Sequence, residues 1–418
     1  MKNTQNNDVL ESATSYTTIW QDTNWKKVKR YVNKQQLRIF IAESKGNHRK
    51  VRDLQRMLMH SSALLRLAIF RVTQFNEEKR TPGIDGFTAL SDYQRGKLFV
   101  KLSKRHIKMH KPKPVKLIQI DKKNGKTCSL SIPTIADRVY QELIISILEP
   151  QWEARFEATS YGFGPAKSDH DALERILYNL CCGKLTYVFK ADFQTCLENI
   201  EHSFILNQLY GFPYVETVDK FLKAGYMEEN IFYPTERGIP QNGLLFSLLA
   251  NIALAGLDDY LSSYYTKRNH EIVSESFVPH GNYCTVRCAN DFMIFARSKE
   301  EIDEFYNIFN NYLEEHGLIL AENETKISTI YEGFDFLGFS IRMGNDGKCI
   351  INSSKESKKE AIAKISDVFQ MSEGHNVGEF IIVLNPVIEG IVGYWKPFCS
   401  SRSFSERNSY ILKRITNF

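Results

Sequence analysis

From Trp25 to Gly46 the apolar residues return at helical spacing. Val28, Tyr31, Val32, Ile39 and Ala42 fall near one face, with lysines and arginines opposite. After "GNHRK" a second, more apolar helix is expected over "VRDLQRMLMHSSALLRLAIFRVT", so residues 17 to about 78 read as helical. Pro82-Gly83 and Asp85-Gly86 then force turns, and the first domain boundary is placed there. A basic helix follows, and then an extended segment, "KPVKLIQIDKKNGKTCSLSIPT", in which Asn124-Gly125 signals a hairpin. "IADRVYQELIISILEPQWEARF" reads as a helix stopped by Pro150, and "LTYVFKADF" as a strand ending at Asp192. An apolar helix around 241–264 precedes "VRCANDFMIFAR", a hairpin turning at Asn290-Asp291. An amphipathic helix, "KEEIDEFYNIFNNYLEEHG", and a strand pair around "GFDFLGFSIRM" come next. The last sixty or so residues read as helices broken at Pro386 and Gly390. This irregular alternation predicts an α+β fold with an antiparallel sheet.

Composition changes this picture only through charge. The 418 residues suffice for two or three domains, and the net charge of +5 is mild. Its distribution is uneven. Trp25 to Arg56 holds eleven lysines or arginines against two acids, and Lys97 to Lys126 holds eleven against Asp121 alone. One such run is usually a solvated helix face. Two, interleaved with Trp25, Tyr31, Phe40, His106 and His110, favour a polyanionic partner. Eight scattered cysteines lack CxxC spacing, which points to reduced thiols rather than zinc or a disulfide framework. The polar N-terminus reads as neither a signal nor a transit peptide. "GLLFSLLANIALAGL", interrupted by Ser247 and Asn251, is expected to fall short of a membrane span.

Asp192 and Asp291 carry the candidate chemistry. Carboxylates at a strand end and a hairpin tip, set side by side, can hold two Mg²⁺ ions about 4 Å apart for phosphoryl transfer. On their own, a strand terminus and a turn are the better explanation of both residues, because any chain of this length has such aspartates.

The order of the surrounding segments adds a resemblance, to the reverse transcriptase–maturase proteins encoded by group II introns. "RTPGIDG" resembles that family's TPG-x-DG segment, and "SIPTIADRVYQELIISILEPQWEARFEATSYGFGPAKSDHDA" resembles its next block. "ADFQTCLENIEH" is similar to the strand bearing the first catalytic Asp, and "RGIPQNGLLFSLLANIALAGLDDYL" to the PQGG helix of the nucleotide pocket. "VRCANDFMIFARS" stands where the family has a YADD hairpin, "GFDFLGFSIR" where it has the primer grip, and "LNPVIEGIVGYW" resembles its maturase X-domain segment. The match runs from about 17 to 416. It implies a right-hand polymerase fold of fingers, palm and thumb. Residues 1–16 would be a flexible N-terminus, 17–86 a basic helical extension, 87–345 fingers and palm, and 346–418 a helical thumb or X domain. "LNPVIEGIVGYW" also reads as a thumb helix capped at Asn385, with Pro386 in its first turn.

In such proteins three carboxylates hold the metals. Asp192 and Asp291 match two of them, and Asn290 replaces the third with a neutral amide, a poor Mg²⁺ ligand. Other departures lie in the implied nucleotide pocket. Cys128 stands where an Arg meets the triphosphate, and Gly164 replaces a second Arg. Pro240-Gln241-Asn242-Gly243 replaces PQGG, and Leu197 replaces an aromatic. Together they predict a polymerase site no longer in use, with weak Mg²⁺ binding or none.

The expected role is therefore that of an intron maturase, which binds group II or related intron RNA and assists its folding and splicing without a cofactor. Phosphate contacts would come from Lys26, Lys27, Arg30, Arg49, Lys50 and Arg52, from Lys104, Arg105, Lys108, Lys111 and Lys113, and from Arg407, Lys413 and Arg414. Glu389 stands where the family usually has a basic residue. No membrane or DNA-endonuclease role is expected, and homodimer formation is left open. The expected compartment is the plastid or mitochondrion encoding it, or otherwise a bacterial cytoplasm. The rival readings are an active RNA-directed DNA polymerase of a mobile intron, which would require Mg²⁺, and a product without a selected role.

Overall fold

A computed structural model describes residues 15–398 and 404, less 122–126, 163, 165–166, 183–184, 194–196, 198, 240–242, 262–282, 316–317, 319, 321–324 and 373–375. After a helical segment at 15–21 come α1 (Trp25–Ser44), α2 (His48–Met59), α3 (Ser62–Phe70) and α4 (Asp92–Ser103). They are followed by β1 (Val115–Asp121), β2 (Thr127–Ile132), α5 (Ile135–Glu153), α6 (Asp169–Cys182) and β3 (Tyr187–Asp192). Next are α7 (His202–Gln208), α8 (Val215–Leu222), β4 (Tyr226–Glu228), β5 (Ile231–Tyr233) and α9 (Leu244–Ala253). The chain continues with β6 (Tyr283–Cys288), β7 (Asp291–Ala296), α10 (Lys299–Glu315), β8 (Thr325–Thr329) and β9 (Phe334–Phe336). It ends with β10 (Phe339–Met343), β11 (Cys349–Ser353), α11 (Lys355–Met371) and α12 (Val377–Trp395). The chain divides into two compact units, one of residues up to 158, 193–269 and 310–321, the other of 159–192, 270–309 and 322–418.

The first unit is built round α5, whose Ile135, Val139, Ile144, Ile147 and Leu148 are wholly buried. The segment expected as one helix after "GNHRK" is two. α2 ends at Met59, and Ser61 restarts the chain as α3 by accepting a hydrogen bond from the Ala63 amide. Pro150 does not stop α5, which runs on to Glu153. A proline there removes the N–H that would bond the Ser146 carbonyl. The Gln36 side chain of α1 fills that gap, its Nε2 donating to Ser146 O at 2.9 Å. Gln55 of α2 donates to the next carbonyl, Ile147 O, at 3.1 Å. Arg138 is buried and donates to the carbonyls of Pro133, Glu78 and Thr81, binding the turn region to α5.

The unit's sheet has the order β2-β1-β4-β5 and is not wholly antiparallel, because β1 pairs with β4 in parallel through Val115 and Lys116. β1 and β2 form the expected antiparallel pair as far as Asp121↔Thr127, and Asn124 and Gly125 lie outside the described residues. Contrary to expectation, the helical stretch Leu244–Leu261 is long and apolar enough to cross a membrane by length and composition. Its window is 56% buried in the protein.

The second unit holds a four-stranded antiparallel sheet of order β6-β7-β3-β8. On one face Phe189 and Phe292 pack against Phe309 of α10. On the other, Val188, Cys284, Val286, Met293 and Phe295 join Ala172, Leu173 and Ile176 of α6 and the inward residues of a second sheet, β11-β10-β9. α11 and α12 share a smaller core of Ile365, Val368, Phe369, Phe380 and Leu384.

The last helix also departs from expectation. Asn376, not Asn385, caps α12 by accepting from the Glu379 amide, and the helix continues through Pro386 and Gly390 to Trp395. The carbonyl that Pro386 leaves unbonded belongs to Ile382, a residue 72% exposed, so the defect lies on the helix's outer side. Val377–Trp395 likewise has membrane-span length and apolarity, and only 11% of it is buried.

Candidate functional site

The hairpin at 283–296 closes with a two-residue turn, because Cys288 pairs with Asp291. Ala289 at its first position has φ +55°, a left-handed conformation uncommon for a residue with a Cβ. The backbone at Gly162 presses on this turn, and a Cβ there would stand 1.9 Å from the Ala289 nitrogen. The amide oxygen of Asn290 is buried without a hydrogen-bond partner.

Strand register places the two carboxylates. β3 and β7 pair Asp192 directly with Asp291, as the sequence reading required. Alternation along β3 sets Lys190 and Asp192 on the same face, and Val188 behind them belongs to the apolar core. The face thus runs from Val188, Met293 and Phe295 to a polar end bearing Lys190, Asp192 and Asp291. Lys190 Nζ stands 3.2 Å from Asp291 Oδ1 and 3.3 Å from the Asp335 carbonyl. Burial raises the Asp291 carboxyl above its ordinary range, the Lys190 ammonium opposes that rise, and the carboxylates of Asp192 and Asp169 add to it.

Asp169, the first residue of α6, was not anticipated. The Cys288 thiol donates to its Oδ1 at 3.3 Å, and the Tyr394 hydroxyl lies 3.1 Å from its Oδ2 and 3.0 Å from the Leu337 carbonyl. Burial, then the Asp169 carboxylate, pushes the Cys288 thiol and the Tyr394 phenol well above their ordinary ranges, so both remain neutral donors. His170 Nε2 lies 2.9 Å from the Tyr394 carbonyl. A cleft of about 570 Å³ opens beside Asp291, lined among others by Lys190, Asp335, Glu360, Lys364, Tyr394 and Trp395. Among the described residues no group of three or more His, Cys, Asp or Glu side chains is arranged to hold a metal ion.

The remaining candidates lie in the first unit or outside the described residues, Gly164 apart. Leu197 is fully buried in the first unit, and the backbone of Cys128 pairs with Ile120 in the β1–β2 ladder. Gln241, Asn242, Arg407, Lys413 and Arg414 lie outside the described residues, while Gly164 is in a loop of the second unit. Lys26, Lys27, Arg30, Arg49, Lys50, Lys104, Arg105, Lys108, Lys111 and Lys113 are exposed, and Arg52 is half-buried.

Segments far apart in sequence meet there. The His60 and His106 rings stand 5.1 Å apart, joining the end of α2 to the second basic run. Lys27, Tyr31, Ser61 and Arg66 line one groove of about 1040 Å³, so α1 contributes beside the same junction. Lys108 Nζ lies over the Tyr214 ring at 5.9 Å. Burial, and then the proximity of His60 and Lys108, lowers the His106 pKa.

Residues 20–102 match the N-terminal domain of reverse transcriptase, 120–341 the reverse transcriptase (RNA-dependent DNA polymerase) domain, and 358–418 the maturase-specific domain of group II introns. Protein YkfC of Escherichia coli K12 is 27% identical over 70% of this chain and 83% of its own length. The group II intron-encoded protein LtrA of Lactococcus lactis is 36% identical over 68% of this chain, which spans 56% of LtrA. Maturase-like protein 1 of Euglena gracilis is 24% identical over 79% of this chain and 67% of its own length. The reverse transcriptase domain alone covers more than half of the sequence and carries the right-hand polymerase fold. This chain belongs to the group II intron reverse transcriptase and maturase family.

Proposed function

We propose that the protein is an intron maturase, binding group II intron RNA and assisting its folding and splicing, and that it no longer synthesises DNA. The observation that carries the first part is the maturase-specific domain at 358–418, joined to a reverse transcriptase domain in one chain. The convergence of two basic runs at the His60–His106 junction supports it, since phosphate binding needs positive charge from several segments at one place. Relatives in bacteria and in Euglena suit either a bacterial cytoplasm or the organelle that encodes the protein.

The second part rests on the hairpin. Two Mg²⁺ ions need anionic oxygen ligands, and here one ligand position holds Asn290 while Lys190 already occupies Asp291. In this reading the β6-β7-β3-β8 sheet is the palm, residues 87–345 supply fingers and palm, and α11 and α12 belong to the thumb.

Primer extension on an RNA template in Mg²⁺, with RNA binding measured on the same preparation, tests both parts. Binding to intron RNA without nucleotide incorporation is expected. Incorporation by the native protein would overturn the loss of polymerase activity. Intron RNA bound no better than an unrelated RNA of equal length would overturn the maturase role.

A further inference from the structure

The ion pair at the strand end explains more than a weak metal site. We propose that Lys190 is the resident cation of the Asp192–Asp291 pair: its ammonium supplies from within the chain the positive charge that a divalent ion would bring. The inference rests on the reading that the polymerase site is retired, and deepens it.

Register and side-chain direction carry it. Lys190 is two residues before Asp192 on β3, so both project from the same face, and Asp291 lies directly across from Asp192. From that position the Lys190 stem reaches diagonally to Asp291, leaving Nζ 3.2 Å from Oδ1, and the Asp335 carbonyl accepts from the same ammonium at 3.3 Å. A divalent ion bound to Asp291 at about 2.1 Å would need the space beside that oxygen, and would have to expel a like charge from it.

Charge counting then links Lys190 to Asn290. Asp192, Asp291 and Lys190 sum to −1, beside an Asp169 carboxylate already engaged by the Cys288 thiol and the Tyr394 hydroxyl, and a half-buried site open to a cleft can solvate that charge. A third carboxylate at 290 would make it −2, at a side-chain oxygen that is buried and without a partner. The amide and the lysine are therefore complementary. Each makes the other tolerable, and together they remove the need for metal.

The consequence is that restoring the missing carboxylate does not by itself restore metal binding. Mn²⁺ binding, read by the loss of the free-ion electron paramagnetic resonance signal, tests this in the full chain with Mn²⁺ alone as probe. Four proteins are compared: the native chain, Asn290→Asp, Lys190→Gln and the double variant, with Asp291→Asn in the native and double backgrounds as the site control. No site-specific Mn²⁺ binding is expected in the native chain or in Asn290→Asp. The double variant is expected to bind at least about tenfold more tightly than Asn290→Asp, and to lose that binding with Asp291→Asn. Mn²⁺ should also raise the melting temperature of the double variant and leave that of the native chain unchanged.

Asn290→Asp binding Mn²⁺ as tightly as the double variant would overturn the proposal, because Lys190 would then not be the competing cation. Native-chain binding that Asp291→Asn abolishes would overturn it too. If the Lys190 variants fail to fold, Asn290→Asp alone still decides, since tight Mn²⁺ binding with Lys190 present contradicts the assignment. Primer extension on the same proteins separates the two readings. Metal bound at the site by the native chain without extension removes Lys190 as the resident cation and leaves the site retired, whereas extension by the native chain removes both.

Discussion

Gly162 shows how closely the hairpin turn is held. A methyl group at 162 would stand 1.9 Å from the Ala289 nitrogen and 2.5 Å from its Cα, both of them backbone atoms that cannot swing aside. Gly162→Ala is expected to destabilise the second unit by at least about 2 kcal/mol, read as a shift in the urea midpoint. A second residue tests pH dependence. Burial, and then the carboxylates of Glu153 and Glu142, raise the Glu149 pKa from 4.5 to about 7. The folded chain therefore keeps a proton that the unfolded chain has released between those two values. Stability falls as pH rises through that window. Glu149→Gln is expected to flatten this slope and to gain about 2 kcal/mol relative to the native chain at pH 8, measured by denaturant unfolding at several pH values.

Much of the site could be read at this scale. Asp192 and Asp291 were identifiable from an apolar strand ending in Asp and a hairpin tip, and the sheet does pair them. Lys190 was missed, although it is a charge inside "YVFKAD" two residues from Asp192 and the period of two places both on one face. Asp169 was not visible. It sits in the first turn of a helix, where an acid is ordinary, and only tertiary packing brings Cys288 and Tyr394 to it.

Among the elements, the two helices that run through prolines are the instructive failures of local reading. Pro150 and Pro386 each carry a strong stop signal, and each is overridden. At Pro150 the override depends on Gln36, 110 positions before the Ser146 carbonyl it bonds, which no local pattern contains. Gln36→Leu would leave the Ser146 carbonyl unbonded in a buried setting and is expected to cost about 1–2 kcal/mol. Pro150→Ala restores a helical N–H to that carbonyl, so Gln36→Leu should cost less in its background. A double-mutant cycle on thermal unfolding is expected to show coupling of at least about 0.5 kcal/mol between the two positions. Zero coupling would mean that Gln36 does not complete the helix. The single helix expected over 51–73 failed for a related reason: Ser61 is a strong cap, but apolar periodicity continues on both sides of it and conceals the break.

For the whole molecule, the α+β class and the order of helices and strands followed from periodicity and turn chemistry, while the parallel β1–β4 pairing did not. That pairing joins strands a hundred residues apart, and a strand's own residues do not record which distant strand it will meet. The gathering of the basic runs is likewise a property of the folded unit. It predicts that affinity for intron RNA falls steeply with salt. Lys27→Gln, Lys104→Gln and Lys108→Gln together should reduce the slope of log K against log salt by up to about 2, as three phosphate contacts at roughly 0.7 each imply for unpaired RNA. An unchanged slope would place the RNA elsewhere on the protein.

Strand β3 also has a place in time. It lies inside its sheet with β7 and β8 as neighbours, yet Asp192 leaves the ribosome 99 residues before Asp291 and well before β8. At roughly 5–20 residues per second, the segment "YVFKAD" spends about 5–20 s of synthesis with both edges unpaired. A short, apolar, aromatic strand so exposed is an invitation to pair with a neighbouring chain, and a charge in its middle is the usual protection. Lys190 is that charge. The residue that answers Asp291 in the finished protein also guards the nascent strand while its partners are still being made.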